Sequence, residues 1–181
     1  AFGLQLKSPD IEMPSGIAGV IITVVRVVLC AAITEEIAMR GYVMGNLRAY
    51  GDKFAILISS LMFAAMHGNL VQAPFALMAG FLIGYFTVKT GTLWTAVLIH
   101  GTNNFISLVL SYLVERVGEE AGAVFYGVII YGFGFIGVIC ALIFAAVNKD
   151  KKLSDGDTVL SPGEKAGRFF FNFPMIIAFL L

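Results

Sequence analysis

Long apolar stretches decide what this chain can fold into. The first of them, IAGVIITVVRVVLCAAI at residues 17–33, is interrupted only by Arg26. Of all residues, 59% are hydrophobic and 13% are charged, and the mean hydropathy is +0.89, whereas soluble domains have about 45–50% apolar and 25% charged residues. A membrane span needs about 20 predominantly apolar residues in a helix. The sequence therefore predicts an all-α fold, a bundle of several transmembrane helices.

Five apolar segments make up the predicted bundle. The second has only about 14 residues, or roughly 21 Å as a helix, so it is short for a crossing and is a candidate re-entrant segment. Gly80 and Gly84 in the third segment have the GxxxG spacing that permits close contact between helices. The segments run over residues 16–35, 54–67, 75–88, 93–114 and 121–147.

A polar connector, NKDKKLSDGDTVLSPGEKAGR, follows the fifth segment. Its composition is typical of chain without compact structure, and we predict an exposed polar loop over residues 148–168. If the segments alternate sides and this loop is cytoplasmic, only Lys7 and Arg116 of the basic residues outside the spans lie outside, as the positive-inside rule requires. The basic residues placed inside are Arg40, Arg48, Lys53, Lys89, Lys149, Lys151, Lys152, Lys165 and Arg168.

The two ends of the chain bear on its domain organisation. The chain begins at Ala1 without a methionine and ends in an apolar run, FFFNFPMIIAFLL, which is shorter than the roughly 20 residues of a span. We therefore expect a single membrane-embedded domain over residues 1–181 that is a fragment, with helices missing upstream and downstream.

Polar clusters interrupt three of the apolar segments. Charged residues near the centre of a membrane helix cost about 2.5–3.5 kcal/mol each on insertion scales, and intramembrane ionisable residues are functional by default. Such a chain is expected to keep them only where they pair, line a wet cavity or perform chemistry, and we interpret them as one active site. The clusters are Glu35, Glu36 and Arg40 in TEEIAMRG, His67 in FAAMHGN, and His100 with Asn104 in LIHGTNN.

The spacing within the first cluster separates two carboxylates. Glu36 and Arg40 are four residues apart, on one helical face and within pairing reach, while Glu35 lies about 100° around the helix. One carboxylate is thus neutralised and the other is free. A free carboxylate in a poorly solvated site suits a general base that accepts a proton from water, so Glu35 is the candidate base. The alternative is a structural Glu and Arg cluster that pins two helices together.

The two histidines differ in what they indicate alone. His67 ends a short apolar segment and could simply cap a helix C-terminus, or it could share the water with the free carboxylate or pass a proton to a leaving amine. His100 and Asn104 are four residues apart and project from one helical face. Two hydrogen-bond donors in that arrangement favour an oxyanion hole.

Missing motifs narrow the function further. The sequence has no GxSxG nucleophile element and no HExxH, so serine and zincin proteases are disfavoured. Cys30 and Cys140 lie in apolar runs, and their spacing fits neither a disulfide framework nor a zinc ribbon. With 12 basic and 12 acidic residues and no large basic block, the chain gives no support to a nucleic-acid partner.

The motifs EExxxR, FxxxH and HxxxN together resemble the CPBP family, the CAAX proteases and bacteriocin-processing membrane proteins that include type II CAAX prenyl endopeptidases. Here they read EEIAMR at 35–40, FAAMH at 63–67 and HGTNN at 100–104. Each motif alone is weak, but all three occur in order, each in its own apolar segment. The resemblance covers about residues 17–113.

The resemblance implies an all-helical intramembrane endopeptidase. In it Glu35 and His67 would activate water, His100 and Asn104 would stabilise the oxyanion, and Glu36 and Arg40 would orient the site. Phe63 would pack beneath His67. We expect no metal to be required; the alternative is a zinc enzyme, for which Glu35, His67 and His100 would be the ligand set.

The substrate and its location follow from the same resemblance. We expect a peptide or lipidated protein substrate, with membrane lipid around the site, and cleavage near the membrane surface after a CAAX-type cysteine. The expected location is the plasma membrane of a prokaryote. For a prokaryotic protein, the alternative function is bacteriocin processing or immunity. A non-catalytic membrane binding or immunity protein is the alternative of a different class. A transporter is disfavoured because no repeat-related pair of broken helices is visible.

Overall fold

A computed structural model of the chain describes residues 16–149 and 152–171. Six helices follow one another along these residues, and no strand occurs among them. Of the apolar run at 169–181, on which the expectation of a fragment partly depends, residues 172–181 lie outside the described residues. The helices are α1, Ile17–Tyr50; α2, Asp52–Met66; α3, Ala73–Thr90; α4, Leu93–Val117; α5, Glu119–Val147; and α6, Pro162–Phe170.

Three helices in the described part of the chain, α1, α3 and α4, are long and apolar enough to cross a membrane. Large apolar side chains lie on their surfaces: Ile17, Met78 and Leu98 are each more than half exposed. Side chains of this kind are stable against lipid, where apolar burial between helices is not the driving force. The predicted all-α, membrane-spanning fold is confirmed, and the chain is an integral membrane protein.

Helix α1 extends further than the first predicted segment. The sequence placed the end of that segment at the glutamate cluster near residue 35, whereas α1 continues through the cluster to Tyr50. The charges do not end the helix because Glu36 and Arg40 pair with each other inside it. Helix α1 is also wound irregularly, with π-helical turns at Val25–Cys30 and Ile37–Met44 on either side of the two glutamates.

Helix α2 is short, as the sequence predicts. Its 15 residues span roughly 22 Å, less than the roughly 30 Å of a bilayer core. Whether α2 enters and leaves by the same face of the membrane stays a prediction. Its C-terminal end places His67, which is partly buried, next to Phe63 on the preceding turn.

Helices α2 and α3 approach closely at the GxxxG positions. A Cβ added to Gly80 would lie 3.0 Å from Ser60 Cβ, and one added to Gly84 would lie 3.2 Å from Ile56 Cγ2. Both distances are shorter than ordinary carbon contacts of about 3.5–4.0 Å. The close helix contact that the spacing predicts is therefore confirmed. Beside it, Phe63 and neighbouring apolar residues of α1, α2 and α3 form a buried cluster of Met39, Phe63, Ala64 and Ala76.

The prediction that residues 148–168 form a loop without compact structure is wrong for residues 162–168, which belong to a helix. Helix α6 begins there with a capping box, in which the Ser161 hydroxyl accepts from Glu164 N and Ser161 N donates to the Glu164 carboxylate. The hydrogen bonds from the Ser161 hydroxyl and then from its N–H lower the pKa of the Glu164 carboxyl. The signature S-x-x-E, present as SPGE, marks this helix start.

Asp52 joins the connector to the turn between α1 and α2. Its carboxylate, 3% exposed, accepts hydrogen bonds from Arg48 Nε at 2.7 Å and from Ser154 N at 2.7 Å. Gly51 lies in the turn at φ +108°, and a Cβ there would come within 2.7 Å of the Asp155 carbonyl oxygen. Only glycine tolerates both the backbone angle and the approach. The first half of the connector is thus fastened to the end of α1.

Replacing Asp52 by Ala should release the connector. Of the two charge-assisted hydrogen bonds lost, the one from Ser154 N holds the connector; it is worth about 1.5–3 kcal/mol, and even 1.4 kcal/mol is a tenfold change in the opening equilibrium. Limited proteolysis of the connector should accelerate about tenfold or more, since cleavage follows the opened population. Asp155→Ala, an exposed aspartate of the same segment, is the matched control. Equal cleavage rates in the two variants would contradict the fastening role.

Candidate active site

The two glutamates of the first cluster have different surroundings. They end the short α-helical stretch Ala31–Glu36, between the two π-helical turns of α1. Glu36 is fully buried, whereas the Glu35 side chain is 29% exposed. Turns of π geometry are rare overall, and where they occur they are often at functional sites. Here α1 buries the Glu36 carboxylate in the protein and leaves the Glu35 carboxylate facing a partly open space.

Arg40 is buried beside Glu36. Its Nη1 donates to Glu36 Oε1 at 3.0 Å, and its Nη2 donates to the carbonyl oxygen of Gly80 on α3 at 3.2 Å. Its guanidinium carbon also lies 4.6 Å from the centroid of the Phe63 ring on α2. The predicted Glu36 and Arg40 pair is thus present, and it connects α1 to both α2 and α3.

His100 on α4 shares the same carboxylate oxygen. Its Nδ1 lies 2.8 Å from Glu36 Oε1, and because a carboxylate accepts, Nδ1 carries the proton and donates. Its Nε2 faces Glu35 Oε2 at 3.9 Å, which is longer than a hydrogen bond. The ring therefore bonds to the buried glutamate through Nδ1 and presents Nε2 to the partly exposed one.

His67 lies on the other side of Phe63. Its Nδ1 donates to the Phe63 carbonyl oxygen at 2.8 Å, which leaves Nε2 as the ring atom that can accept a proton. The Phe63 ring packs edge-on against His67 with centroids 4.8 Å apart, and against His100 at 5.5 Å. The family resemblance implies a packing role for Phe63 beneath His67, and in the structure its ring contacts both histidines and Arg40.

Asn104 lies one turn after His100 and also faces α1. Its side-chain amide donates to the carbonyl oxygen of Val27 at 3.0 Å. The amide has two N–H groups, so one remains for another acceptor. The structure brings His100 and Asn104 to the same neighbouring helix, and their predicted role as a pair of oxyanion donors stays a prediction.

Buried polar atoms without a partner concentrate in this cluster. Among the described residues, four buried side-chain nitrogen or oxygen atoms have no hydrogen-bond partner, and three of them are Glu35 Oε2, Glu36 Oε2 and Arg40 Nε. Unsatisfied buried polar atoms are uncommon in folded proteins. Their concentration beside two histidines marks a polar site within an apolar bundle.

The alternative zinc site finds no ligand set in the described part of the chain. No group of three or more His, Cys, Asp or Glu side chains there is arranged to hold a metal ion. In particular, Glu35, His67 and His100 do not form the three-ligand set that a catalytic zinc requires. The donor geometry of these residues therefore does not fit a zinc ion.

Sequence reasoning missed two partners of the site. The carbonyl oxygens of Gly80 and Val27 accept from Arg40 and Asn104, respectively. The GxxxG spacing predicted that Gly80 lies close to a neighbouring helix, but a backbone acceptor has no side-chain signature. The spacing was the available signal for Gly80, and no comparable signal exists for Val27.

Comparison with known protein families finds a match for the part of the chain that contains this site. Residues 17–106, which contain every polar cluster described above, match the family model for type II CAAX prenyl endopeptidase Rce1-like proteins. The chain belongs to this family. No curated protein and no solved structure matches it. Membership in the Rce1-like family supports a CAAX-type protease with a protein substrate at the membrane, and it gives no support to bacteriocin immunity.

In this Rce1-like protein, Glu36→Gln and Glu35→Gln should differ sharply in stability. The first removes the countercharge of buried Arg40, and breaking a buried pair costs about 3–5 kcal/mol. The second alters a carboxylate that is partly exposed and forms no hydrogen bond through Oε2, so a change of about 1 kcal/mol or less is expected. Thermal unfolding in detergent measures both, and equal midpoints would contradict the structural role of Glu36.

Proposed function

We propose that this protein is an intramembrane endopeptidase that hydrolyses a peptide bond near the membrane surface, removing C-terminal residues after a lipidated CAAX-type cysteine. One observation carries the proposal: Glu35, partly exposed, faces Nε2 of a histidine whose Nδ1 is held by the buried Glu36. An accessible carboxylate beside an oriented imidazole is a general arrangement for activating water and stabilising developing charge. The family match supports the CAAX-type substrate.

Glu35 acts as the general base in the proposed mechanism. Arg40 bonds to Glu36 and to the Gly80 carbonyl oxygen, so Glu35 is left to accept a proton. The nucleophilic water donates hydrogen bonds to Glu35 and to His67 Nε2. Glu35 takes a proton from this water while the water oxygen bonds to the scissile carbonyl carbon. When the tetrahedral intermediate collapses, the C–N bond breaks and the same proton passes to the leaving amine.

His100 and Asn104 stabilise the oxyanion in the proposed mechanism. His100 donates through Nε2–H while it carries both ring protons, and Glu36, whose Oε1 accepts from Nδ1, holds the ring in that orientation, as the acid of a catalytic triad does. Asn104 uses the N–H that does not bond to Val27. Two donors of this kind act on the oxygen where negative charge develops.

The proposed mechanism needs no metal. A glutamate base with two polarising donors supplies the nucleophile and the charge stabilisation, and the described donor geometry offers no zinc set. The plasma membrane of a prokaryote is the proposed location. If the protein does not cleave the lipidated peptide, a bacteriocin-type peptide is the next substrate to assay.

The base is tested with purified protein in liposomes and a quenched fluorescent farnesylated CAAX peptide. Glu35→Gln keeps the shape of the side chain but cannot accept the proton, so kcat/KM should fall about 10²-fold or more. Glu115→Gln makes the same chemical change on an exposed carboxylate of α4 and should cleave like wild type. Full proteolysis by Glu35→Gln would exclude Glu35 as the base.

The same assay tests metal dependence. Wild type dialysed against a chelator should keep its activity if the glutamate mechanism is correct. Loss of cleavage in chelator with recovery on added zinc would instead identify a metalloprotease. No cleavage by wild type under any condition would reject this substrate class.

The polar network also ties helices together, which favours a non-catalytic membrane protein as the second candidate. His67→Ala and Asn104→Ala separate the two readings. Each removes one hydrogen bond to a backbone carbonyl, worth about 1 kcal/mol, so the thermal midpoint should fall slightly while kcat/KM falls about 10²-fold. Asn103→Ala, one position from Asn104, is the control. If activity and folded yield decline in parallel, the network is structural.

A further inference from the structure

Gly80 on α3 makes a contact that the proposed mechanism leaves unused. Its carbonyl oxygen accepts from Arg40 Nη2 at 3.2 Å. A carbonyl oxygen has two lone pairs, so one position within a helix can serve a side chain as well as the helix. Arg40 is 3% exposed, and a charge buried to that degree depends on each polar group around it.

This contact depends on the absence of a side chain at Gly80. An added Cβ would lie 3.0 Å from Ser60 Cβ and 3.1 Å from Ser60 Cα. Because Cα belongs to the backbone, no change of side-chain rotamer removes the overlap, and α3 would have to move away from α2. At 3.2 Å, the bond to Arg40 is already at the long end of the N–H···O range of about 2.7–3.2 Å.

Movement of Arg40 would also displace the His100 ring, because both side chains bond to Glu36. Arg40 Nη1 and His100 Nδ1 bond to the same oxygen, Glu36 Oε1, at 3.0 and 2.8 Å. The orientation of the His100 ring therefore depends on the position of Glu36, and Glu36 in turn is held by Arg40. Three successive hydrogen bonds connect the Gly80 carbonyl to the ring that faces Glu35.

We propose that Gly80 is a positioning residue for the peptidase reaction. It lets α3 approach α2 closely enough for its carbonyl oxygen to fix Arg40, and Arg40 fixes Glu36 against His100. This proposal rests on the proposed function. It assigns a role in catalysis to a backbone atom of α3, a helix that carries none of the proposed catalytic side chains.

Gly84 provides a matched control within the same interface. It lies one turn after Gly80 on the same side of α3, and an added Cβ would lie 3.2 Å from Ile56 Cγ2. These close contacts are to side-chain atoms of Ile56 and Met44. Gly84→Ala therefore adds the same methyl group to the same helix contact without touching the acceptor of Arg40.

The test compares kcat and KM for Gly80→Ala and Gly84→Ala on the farnesylated peptide, with thermal midpoints for each. We expect Gly80→Ala to lower kcat about tenfold or more, because small displacements of catalytic groups are costly, with KM within about twofold of wild type. Gly84→Ala should keep the wild-type kcat. Adding Ser60→Gly to Gly80→Ala removes Ser60 Cβ and Oγ, and should restore part of kcat. Unchanged kcat in Gly80→Ala, or equal losses in both glycine variants, would overturn the proposal.

A second measurement needs no substrate and separates this proposal from the proposed function. If wild type cleaves nothing, the proposed function fails. The Gly80 contact is then judged by a double-mutant cycle of Gly80→Ala and Arg40→Lys on the thermal midpoint. Non-additive midpoint shifts show that the carbonyl oxygen and the guanidinium act on each other. Additive shifts overturn the positioning role.

Discussion

One carboxylate oxygen organises this structure. Glu36 Oε1, in a fully buried side chain, accepts from both Arg40 and His100. Removing a carboxylate from water is expensive unless it is paired and hydrogen-bonded, and here α1 itself supplies Arg40 while α4 supplies His100. Arg40 continues the network to the Gly80 carbonyl of α3 and to the Phe63 ring of α2. Four helices are therefore held in register by the need to satisfy one charge.

The two adjacent glutamates have different roles: Glu36 stabilises the helix bundle, and Glu35 is the proposed base. Successive residues of a helix point about 100° apart, so Glu35 and Glu36 cannot share one environment. Glu36 is fully buried and paired, while the Glu35 side chain keeps 29% of its exposure and faces His100. A buried, neutralised carboxylate cannot act as a base, and an accessible one cannot anchor a helix bundle. Both roles are available because the helix presents two carboxylates side by side.

The sequence predicts the parts of this arrangement that depend on side-chain spacing. Apolar segment lengths predict the membrane helices and the short α2, and four-residue spacing predicts the Glu36 and Arg40 pair. Contacts made by backbone atoms, such as the Gly80 and Val27 carbonyl oxygens, leave no trace in residue type. The fastening of the connector through Asp52 needs a partner at Ser154, 102 residues away, which spacing cannot reveal. The start of helix α6, by contrast, can be predicted from the sequence, because the residues SPGE form a capping-box signature.

The shortness of α2 determines the depth at which His67 lies. Helices α1 and α2 are antiparallel neighbours that meet at Gly51, so residues equally far from that turn lie at similar depth. Glu36 precedes Gly51 by 15 residues and His67 follows it by 16. A full-length span would continue past this level. By ending at Met66, α2 frees the backbone to turn and leaves His67 at the level of the glutamates, with its ring against Phe63.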